Sequence, residues 1–385
     1  MTVRARAGRP TATRWGVVLR CAALALPLLG GPAARAQTET AGAVAPTDAR
    51  PPAAPRVSPR LLVQGDTVVL HHGPNAPTVE DGTTRPGFYL RTARVGVDVS
   101  DGAWQARLIV EPTARAEVVD TALDPIAGEL ARGRPRATAA YVAYAPHPAF
   151  ALAMGALRVP IGLSRRIDEG DLSLPERARI ITRATPDFRM GAAVAGDLGL
   201  LQYALGTYAV APVFGSDFRN GGALTVLHLN AEPVGPVGVA PNLRRSNDPW
   251  YGWWRFAVGV SAFYARLPGV GEWGLGGDGQ FQWRRFRCAG EALWTRLADA
   301  DRFGFTVEPG VFVLPDRVEL IARIEWLNDQ VGPRSAVDGW GAALGATLYS
   351  YGRHARIQAA YTVRRAGADA QAASSWAVVR ATFTL

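Results

Sequence analysis

The sequence RVELIARIEWL, at residues 317–327, alternates apolar side chains with mostly charged ones. Side chains along a β-strand point in turn to two opposite faces, so this segment predicts a strand with two different faces. One face would carry Val318, Leu320, Ala322, Ile324 and Trp326. The other face would carry Arg317, Glu319, Ile321, Arg323 and Glu325.

The same alternation recurs along the chain from Leu61 onward, although periodicity alone would also fit a soluble sandwich with an apolar core. Tight turns and longer polar connections follow one another between the segments, as in transmembrane barrels. The connection at residues 230–250 is an exception, because it is long where a short turn is expected. We therefore predict an all-β fold, a single closed antiparallel transmembrane β-barrel of about sixteen strands. The candidate strands lie at about residues 61–70, 88–99, 103–112, 136–146, 149–159, 188–197, 200–210, 222–230, 251–265, 273–284, 288–298, 304–314, 316–327, 338–349, 354–364 and 374–385.

Residues 1–36 have the three parts of a cleavable signal peptide. A basic region comes first, an apolar stretch follows, and Ala34-Arg35-Ala36 matches a cleavage site. The alternative is an uncleaved membrane anchor. A membrane-spanning helix needs about 20 apolar residues, however, and this apolar stretch is shorter and contains Arg20. Residues 37–60 are rich in Pro, Ala and Thr and predict a periplasmic leader. The barrel would then occupy residues 61–385.

The formal net charge of +9 comes largely from the N-terminus. Residues 1–36 hold six basic residues and no acidic one, which leaves 36 basic against 33 acidic residues, a net of +3. That balance argues against a nucleic-acid-binding protein. Every basic residue is an arginine, which stays charged and offers several donors to oxyanions. Cys288 is alone after residue 36, so an internal disulfide and a cysteine-based zinc site are not expected.

The last segment alternates up to residue 385, with Phe383 and Leu385 on its apolar face. An alternating final strand with this ending resembles the signal that the barrel-assembly machinery recognises, although that signal usually ends in Phe. The alternative is an ordinary last strand of a soluble β-domain. We predict that Phe383 and Leu385 form an assembly signal and that the chain resides in the bacterial outer membrane.

An ordered series of stretches resembles the phosphate-selective porin O/P family of outer-membrane porins. Family members show a strand ending in V-P-x-G-L, then an acidic stretch with a Glu-Arg pair and two further hairpins. The stretches that match here are ALRVPIGLS (156–164), DLSLPER (171–177), FRMGAAVAGDL (188–198), LQYALGTY (201–208) and GFTVEPGVFVLPDRVELIARIEWL (304–327). The resemblance covers most of residues 88–385 and implies a passive channel. The usual N-G after the hairpin aromatic is Ala209-Val210 here.

Residues 160–187 follow the fifth predicted strand, where porins fold a long loop into the barrel. Basic and acidic groups that face each other across such a constriction favour small polar solutes, whereas a purely basic ring would favour anions. The alternative is an extracellular loop solvated by its charges. The predicted constriction residues are Arg165, Arg166, Asp168, Glu169, Asp171, Glu176, Arg177, Arg179 and Arg183.

Charged residues of the strands form a second candidate set, because a charge that faces lipid at mid-depth costs about 2–4 kcal/mol. We expect them to line the lumen, where arginines in excess of acids give a modest anion preference. The predicted lumen-lining residues are Arg94, Arg107, Arg317, Glu319, Arg323, Glu325, Arg356 and Arg380. Family members that select phosphate combine arginine with lysine, and this chain has no lysine. We therefore expect phosphate or another oxyanion to pass, but we do not expect the channel to be specific for it.

Three other functions stay open beside a porin for small polar or anionic solutes. A plugged or narrow barrel could act as a receptor or a structural protein, and a soluble secreted β-protein could bind sugars or surfaces. A barrel enzyme is the third, but the five histidines are scattered and no nucleophile elbow, zinc motif or phosphate loop is present. We predict no catalytic residue, metal or cofactor. The expected partners are outer-membrane lipid, the assembly machinery and two further copies in a homotrimer.

Overall fold

The computed structural model contains a closed barrel of sixteen antiparallel strands. It describes residues 55–72, 87–111, 136–210, 222–234, 237, 253–267, 270–297, 300–330, 338–351, 354–365 and 373–385. The strands are β1 (Arg56–His72), β2 (Gly87–Asp101), β3 (Trp104–Glu111), β4 (Arg136–His147), β5 (Phe150–Arg158), β6 (Phe188–Asp197), β7 (Leu201–Ala209), β8 (Ala223–Ala231), β9 (Trp254–Leu267), β10 (Val270–Trp283), β11 (Phe286–Leu297), β12 (Ala300–Leu314), β13 (Val318–Asp329), β14 (Gly339–Tyr351), β15 (Ala355–Arg365) and β16 (Ala373–Thr384).

Each strand pairs with its neighbour in sequence, and β16 pairs with β1 to close the sheet. We call this pairing the closing seam. In it, Asp66 of β1 lies directly opposite Arg380 of β16. The predicted single closed barrel of sixteen strands is confirmed.

Alternation decides which residues face the interior, as β13 shows. Its charged residues Glu319, Arg323 and Glu325 are buried, whereas Leu320 and Ile324 on the opposite face are exposed. A soluble protein would bury the apolar face instead. Here the apolar face is the outer surface of the barrel, which suits contact with lipid hydrocarbon.

Aromatic side chains lie on that outer surface near the strand ends. Trp273 and Trp294 meet edge-on with ring centroids 4.4 Å apart, and Phe305 meets Trp340 at 5.6 Å. Aromatic residues favour the boundary between hydrocarbon and headgroups, because one end of the ring system is apolar and the other tolerates water. None of the helices in the described part of the chain has the length and apolar character of a membrane span.

Two details differ from the sequence-based expectation. Strand β1 begins at Arg56, inside the segment predicted as a leader, because residues 56–60 pair with residues 96–100 of β2. Arg317 lies in the turn before β13 and is exposed, so it does not line the lumen. The predicted signal peptide and most of the predicted leader lie outside the described residues. Phe383 and Leu385 follow the outward-facing series of β16, and Leu385 continues the pairing with Leu61.

Gly155 in β5 illustrates how tightly the wall is paired. Its φ is 129°, and a Cβ there would lie 2.2 Å from the carbonyl oxygen of Ala140 in β4. We expect Gly155→Ala to destabilise the barrel by about 1–3 kcal/mol, because the side chain forces both backbone strain and a clash. Gly277 in β10 is the matched control, since a Cβ there meets nothing within 4 Å. The free energy of unfolding of Gly277→Ala, measured in urea from lipid vesicles, should stay within about 0.5 kcal/mol of the wild-type value. Equal losses for the two variants would contradict the close backbone contact described at Gly155.

Candidate functional site

The connection between β5 and β6 lies inside the barrel. Residues 159–187, which we call the inward loop, contain α1 (Leu163–Arg166), a single 3-10 turn (Glu169–Asp171) and α2 (Arg179–Ala184). The loop touches inward-facing side chains from opposite sides of the sheet. Gly170 packs near Leu62 of β1, whereas the Gly162 N–H donates to the Ser261 hydroxyl of β9, eight strands away in the sixteen-stranded ring. A segment that meets strands on both sides at once crosses the lumen.

Apolar side chains anchor the loop on the β8–β14 side. Ile161, Ile180 and Ile181 are almost completely buried in a cluster to which the wall contributes Leu224, Val226, Phe263, Leu293 and Leu327. Leu174 forms a smaller cluster with Ile321 and Ala343. Each such side chain contributes about 1.5–3 kcal/mol when fully buried. Part of the inner wall is therefore apolar, which the sequence analysis missed because it assigned every apolar face to lipid.

Polar contacts fix the first part of the loop to β8, β9 and β11. The Ser164 hydroxyl and backbone N–H both donate to the Glu291 carboxylate. Arg166 lies 2.5 Å from Nε2 of His228, while Nδ1 of His228 lies 2.9 Å from the Ser261 hydroxyl. A guanidinium has no acceptor, so Nε2 accepts and Nδ1 carries the proton. These contacts hold α1 against the wall.

The second part of the loop is tied to β13, β15 and β16. Arg179 donates to Glu325 through its backbone N–H at 3.0 Å and through Nε at 2.8 Å. Gln358 donates to the carbonyl oxygens of Leu172 and Ser173, at 2.9 and 2.8 Å. Backbone groups that cross the lumen thus find partners in the wall, as buried backbone requires.

The predicted constriction residues do not form one ring around an opening. Arg165 and Arg177 turn back onto the loop itself, where Arg165 donates to Thr185 and Arg177 to the carbonyl oxygens of Ser164 and Ile167. Glu169 and Glu176 instead pair with wall arginines. Asp171 and Arg183 are half-buried. The Arg183 carbonyl accepts a hydrogen bond from Arg302.

Seven of the eight predicted lumen-lining residues do face the interior and have partners there. The pairs are Arg94 with Glu111 and Glu169, Arg107 with Asp98, Arg323 with Glu308, Glu319 with Arg287 and Tyr349, Glu325 with Arg179 and Arg364, Arg356 with the Glu169 carbonyl, and Arg380 with Asp66. Pairing of this kind reduces the net field in the lumen, because each arginine is met by a carboxylate or a carbonyl dipole.

Several charged side chains of the described interior keep contact with solvent, and we call five of them the accessible edge. They are Arg60, Asp98, Arg107, Asp168 and Asp187. Asp168 keeps 44% exposure, Arg60 35% and Asp187 30%, whereas Arg380 keeps 1%. The two arginines belong to β1 and β3, and Asp168 and Asp187 belong to the loop. A solute in this part of the interior can meet charge.

The two loop carboxylates remain ionised. Burial disfavours the charge of Asp187, but the guanidinium groups of Arg165 and Arg158 outweigh burial and lower its pKa to about 2. Burial also opposes the charge of Asp168, and Arg158 and Arg107 lower its pKa. The accessible edge therefore presents arginines and carboxylates together at neutral pH.

Several residues of the site were missed from the sequence. Arg60 fell within the predicted leader, although it lies on the same strand face as Leu62 and Gln64 and so extends the β1 pattern toward the N-terminus. Arg158, Asp187 and Glu291 were not selected as site residues. His228 is one of five histidines that are scattered in the sequence, and only the folded loop shows that Arg166 is its partner.

No protein-family model matches this sequence, and no curated protein matches it. Solved structures do. A loop-deletion mutant of OmpT, an outer membrane protein of Vibrio cholerae, has a TM-score of 0.58 and 11% identity over 86% of this chain and 100% of its own. The outer membrane channel DcaP of Acinetobacter baumannii has a TM-score of 0.51 and 11% identity, covering 86% and 97%. An anion-selective porin from Comamonas acidovorans has a TM-score of 0.51 and 10% identity, covering 86% and 100%.

Likeness at this identity concerns the fold, which these proteins share over 86% of this chain. The apolar outer surface and the closed sheet independently indicate a barrel that spans a membrane. The chain is therefore a sixteen-stranded β-barrel of the bacterial outer membrane with the fold of outer-membrane porins.

Proposed function

We propose that this chain is a porin that lets small polar solutes diffuse through the outer membrane with a modest preference for anions. The observation that carries the proposal is the accessible edge, where partly exposed arginines of the wall and partly exposed carboxylates of a loop held inside the barrel both contact solvent. Opposed charges across a narrow passage favour polar over apolar solutes. The two neighbours described as a channel and as an anion-selective porin support the same function.

Membership of the phosphate-selective porin O/P family is part of the proposal at the level of sequence resemblance. Phosphate or another oxyanion would then be among the solutes. The pairing of most inward arginines with carboxylates argues for weak rather than tight binding, because a bound oxyanion would compete with an acid that is already in place.

A plugged barrel that serves as a receptor or structural protein is the second candidate function. The specific observation in its favour is the extent of loop packing, which reaches β8–β16 as well as β1 and β2. Single-channel recording of refolded protein separates the two. Discrete open-channel steps support a porin, and a silent bilayer with correctly folded protein supports a plug.

We propose a passive protein rather than an enzyme. The Ser261–His228 pair is the arrangement in the described interior that comes nearest to a hydrolase, and both residues are buried. A hydrolytic triad requires a carboxylate on the second ring nitrogen, but Arg166 occupies that place. The pair is better explained as an anchor of α1.

We also propose that Phe383 and Leu385 are recognised by the barrel-assembly machinery and that the mature protein is a homotrimer. A trimer form of Vibrio cholerae OmpT, with a TM-score of 0.54 and 11% identity, supports the second point. Chemical crosslinking in isolated outer membranes tests it, and monomers alone would contradict it.

Anion preference should weaken as salt rises. Between 0.01 M and 1 M the Debye length falls from about 30 Å to about 3 Å, so the arginines of the accessible edge act over a shorter range. Reversal potentials in KCl gradients at the two concentrations measure the change. A cation preference at low salt would overturn the assignment, and a block by micromolar phosphate would show a tight oxyanion site instead.

A further inference from the structure

Arg158, the last residue of β5, connects the two ends of the inward loop. Its Nη1 donates to the Arg166 carbonyl at 3.3 Å and its Nη2 donates to the Asp168 carboxylate, both near the start of the loop. Its Nε lies 3.7 Å from Oδ1 of Asp187, at the end of the loop. The guanidinium also lies 4.8 Å from the centre of the Phe188 ring. One side chain therefore contacts both loop carboxylates of the accessible edge.

These contacts leave the outer sides of both carboxylates toward solvent. Asp168 and Asp187 keep 44% and 30% exposure, whereas Arg158 keeps 10%. The arginine lies behind the acids, and a solute in the passage meets the acids first. Arg94 and Arg107 are close enough to influence Asp168 electrostatically.

The local charges nearly cancel as long as Arg158 is present. Arg158, Arg165 and Arg177 contribute three positive charges, and Asp168 and Asp187 contribute two negative ones. Without the Arg158 charge this group would lose its positive excess, and the passage beside it would become more negative by one charge. Asp168 would also lose the hydrogen bond that keeps it against β5 and could reach toward Arg107.

We propose that Arg158 is a positioning residue that sets the ion selectivity of the passage, although a permeating solute reaches the carboxylates rather than Arg158. This inference rests on the proposed porin function. It assigns the anion preference to the balance that Arg158 maintains, and not only to the more exposed Arg60 and Arg107.

Reversal potentials of the full-length protein in planar bilayers, with a KCl gradient at low salt, test the proposal. We expect Arg158→Gln to lower the chloride-to-potassium permeability ratio by at least about twofold, because uncompensated carboxylates attract potassium. Adding Asp168→Asn should return the ratio toward the wild-type value. A merely structural role would not give this rescue, since the second substitution removes a further contact. The matched control is Arg317→Gln, which removes the same charge from an exposed turn and should leave the ratio unchanged.

The outcomes separate this inference from the proposed function. A conducting Arg158→Gln variant with the wild-type ratio overturns the role of Arg158 and leaves the porin standing. A wild-type protein that is folded but does not conduct overturns the porin and, with it, the selectivity role. If Arg158→Gln fails to fold, Asp168→Asn alone should raise the ratio by at least about twofold, and an unchanged ratio there overturns the inference.

Discussion

Replacing Asp66 with Ala is expected to destabilise the barrel by about 3–5 kcal/mol, because it leaves a buried guanidinium without its counter-charge. Asp66 accepts from Nε and Nη2 of Arg380 at 2.7 and 2.8 Å across the closing seam. Arg380 is completely buried and also donates to the Pro175 carbonyl of the inward loop. The substitution therefore weakens the seam and the loop together.

Urea unfolding from lipid vesicles, followed by loss of the heat-modifiable band on gels, measures this effect. The double variant Asp66→Leu with Arg380→Met should recover most of the stability, because apolar residues of similar size replace a buried pair at little cost. Arg317→Ala, in an exposed turn, should change it by less than about 0.5 kcal/mol. A loss below about 1 kcal/mol for Asp66→Ala would show that water reaches Arg380 and that the seam is not dry.

Leu344→Arg is expected to cost about 2–4 kcal/mol, because its side chain lies on the outer face near the middle of β14. Leu344 is 65% exposed in the isolated barrel, so the substitution fills no cavity and breaks no contact of the interior. In a soluble protein an exposed leucine of this kind would tolerate arginine within about 0.5 kcal/mol. The cost therefore reports contact with lipid hydrocarbon.

Val57→Arg provides the comparison, because Val57 also points outward but lies near the beginning of β1. Near the membrane interface an arginine costs only about 0–1 kcal/mol, since its side chain reaches the headgroups. Folding equilibria in vesicles give both values. Equal costs at residues 344 and 57 would mean that the outer face does not span the hydrocarbon as described.

The strands could be predicted from the sequence because their pattern is local. Residues 317–327 alternate with period two, and the same rule placed all sixteen strands to within a few residues. The error at β1 arose because Pro51, Pro52, Pro55 and Pro59 resemble a linker in composition, whereas Val57 and Arg60 continue the alternation. Composition and periodicity gave different answers there, and the pairing with β2 decided between them.

The site was less predictable because it depends on contacts between distant residues. The sequence indicated a charged segment after the fifth strand, but it could not tell that Arg165 turns back to Thr185 while Asp168 stays accessible. Nor does any local pattern show that Leu293 and Leu327 meet Ile180 inside the barrel. The strands position these residues, and the loop then determines which of them a solute can reach.

The inward loop imposes an order on assembly. It follows β5 in the chain, yet its docking partners include Glu291 in β11, Glu325 in β13, Gln358 in β15 and Arg380 in β16. Contacts between residues so far apart in sequence form late, because long stretches of chain must be ordered first. The final strand both closes the sheet and supplies the partner of Pro175. The contact with Pro175 therefore cannot form before the last strand is in place, so docking of the loop is completed only when the barrel is complete.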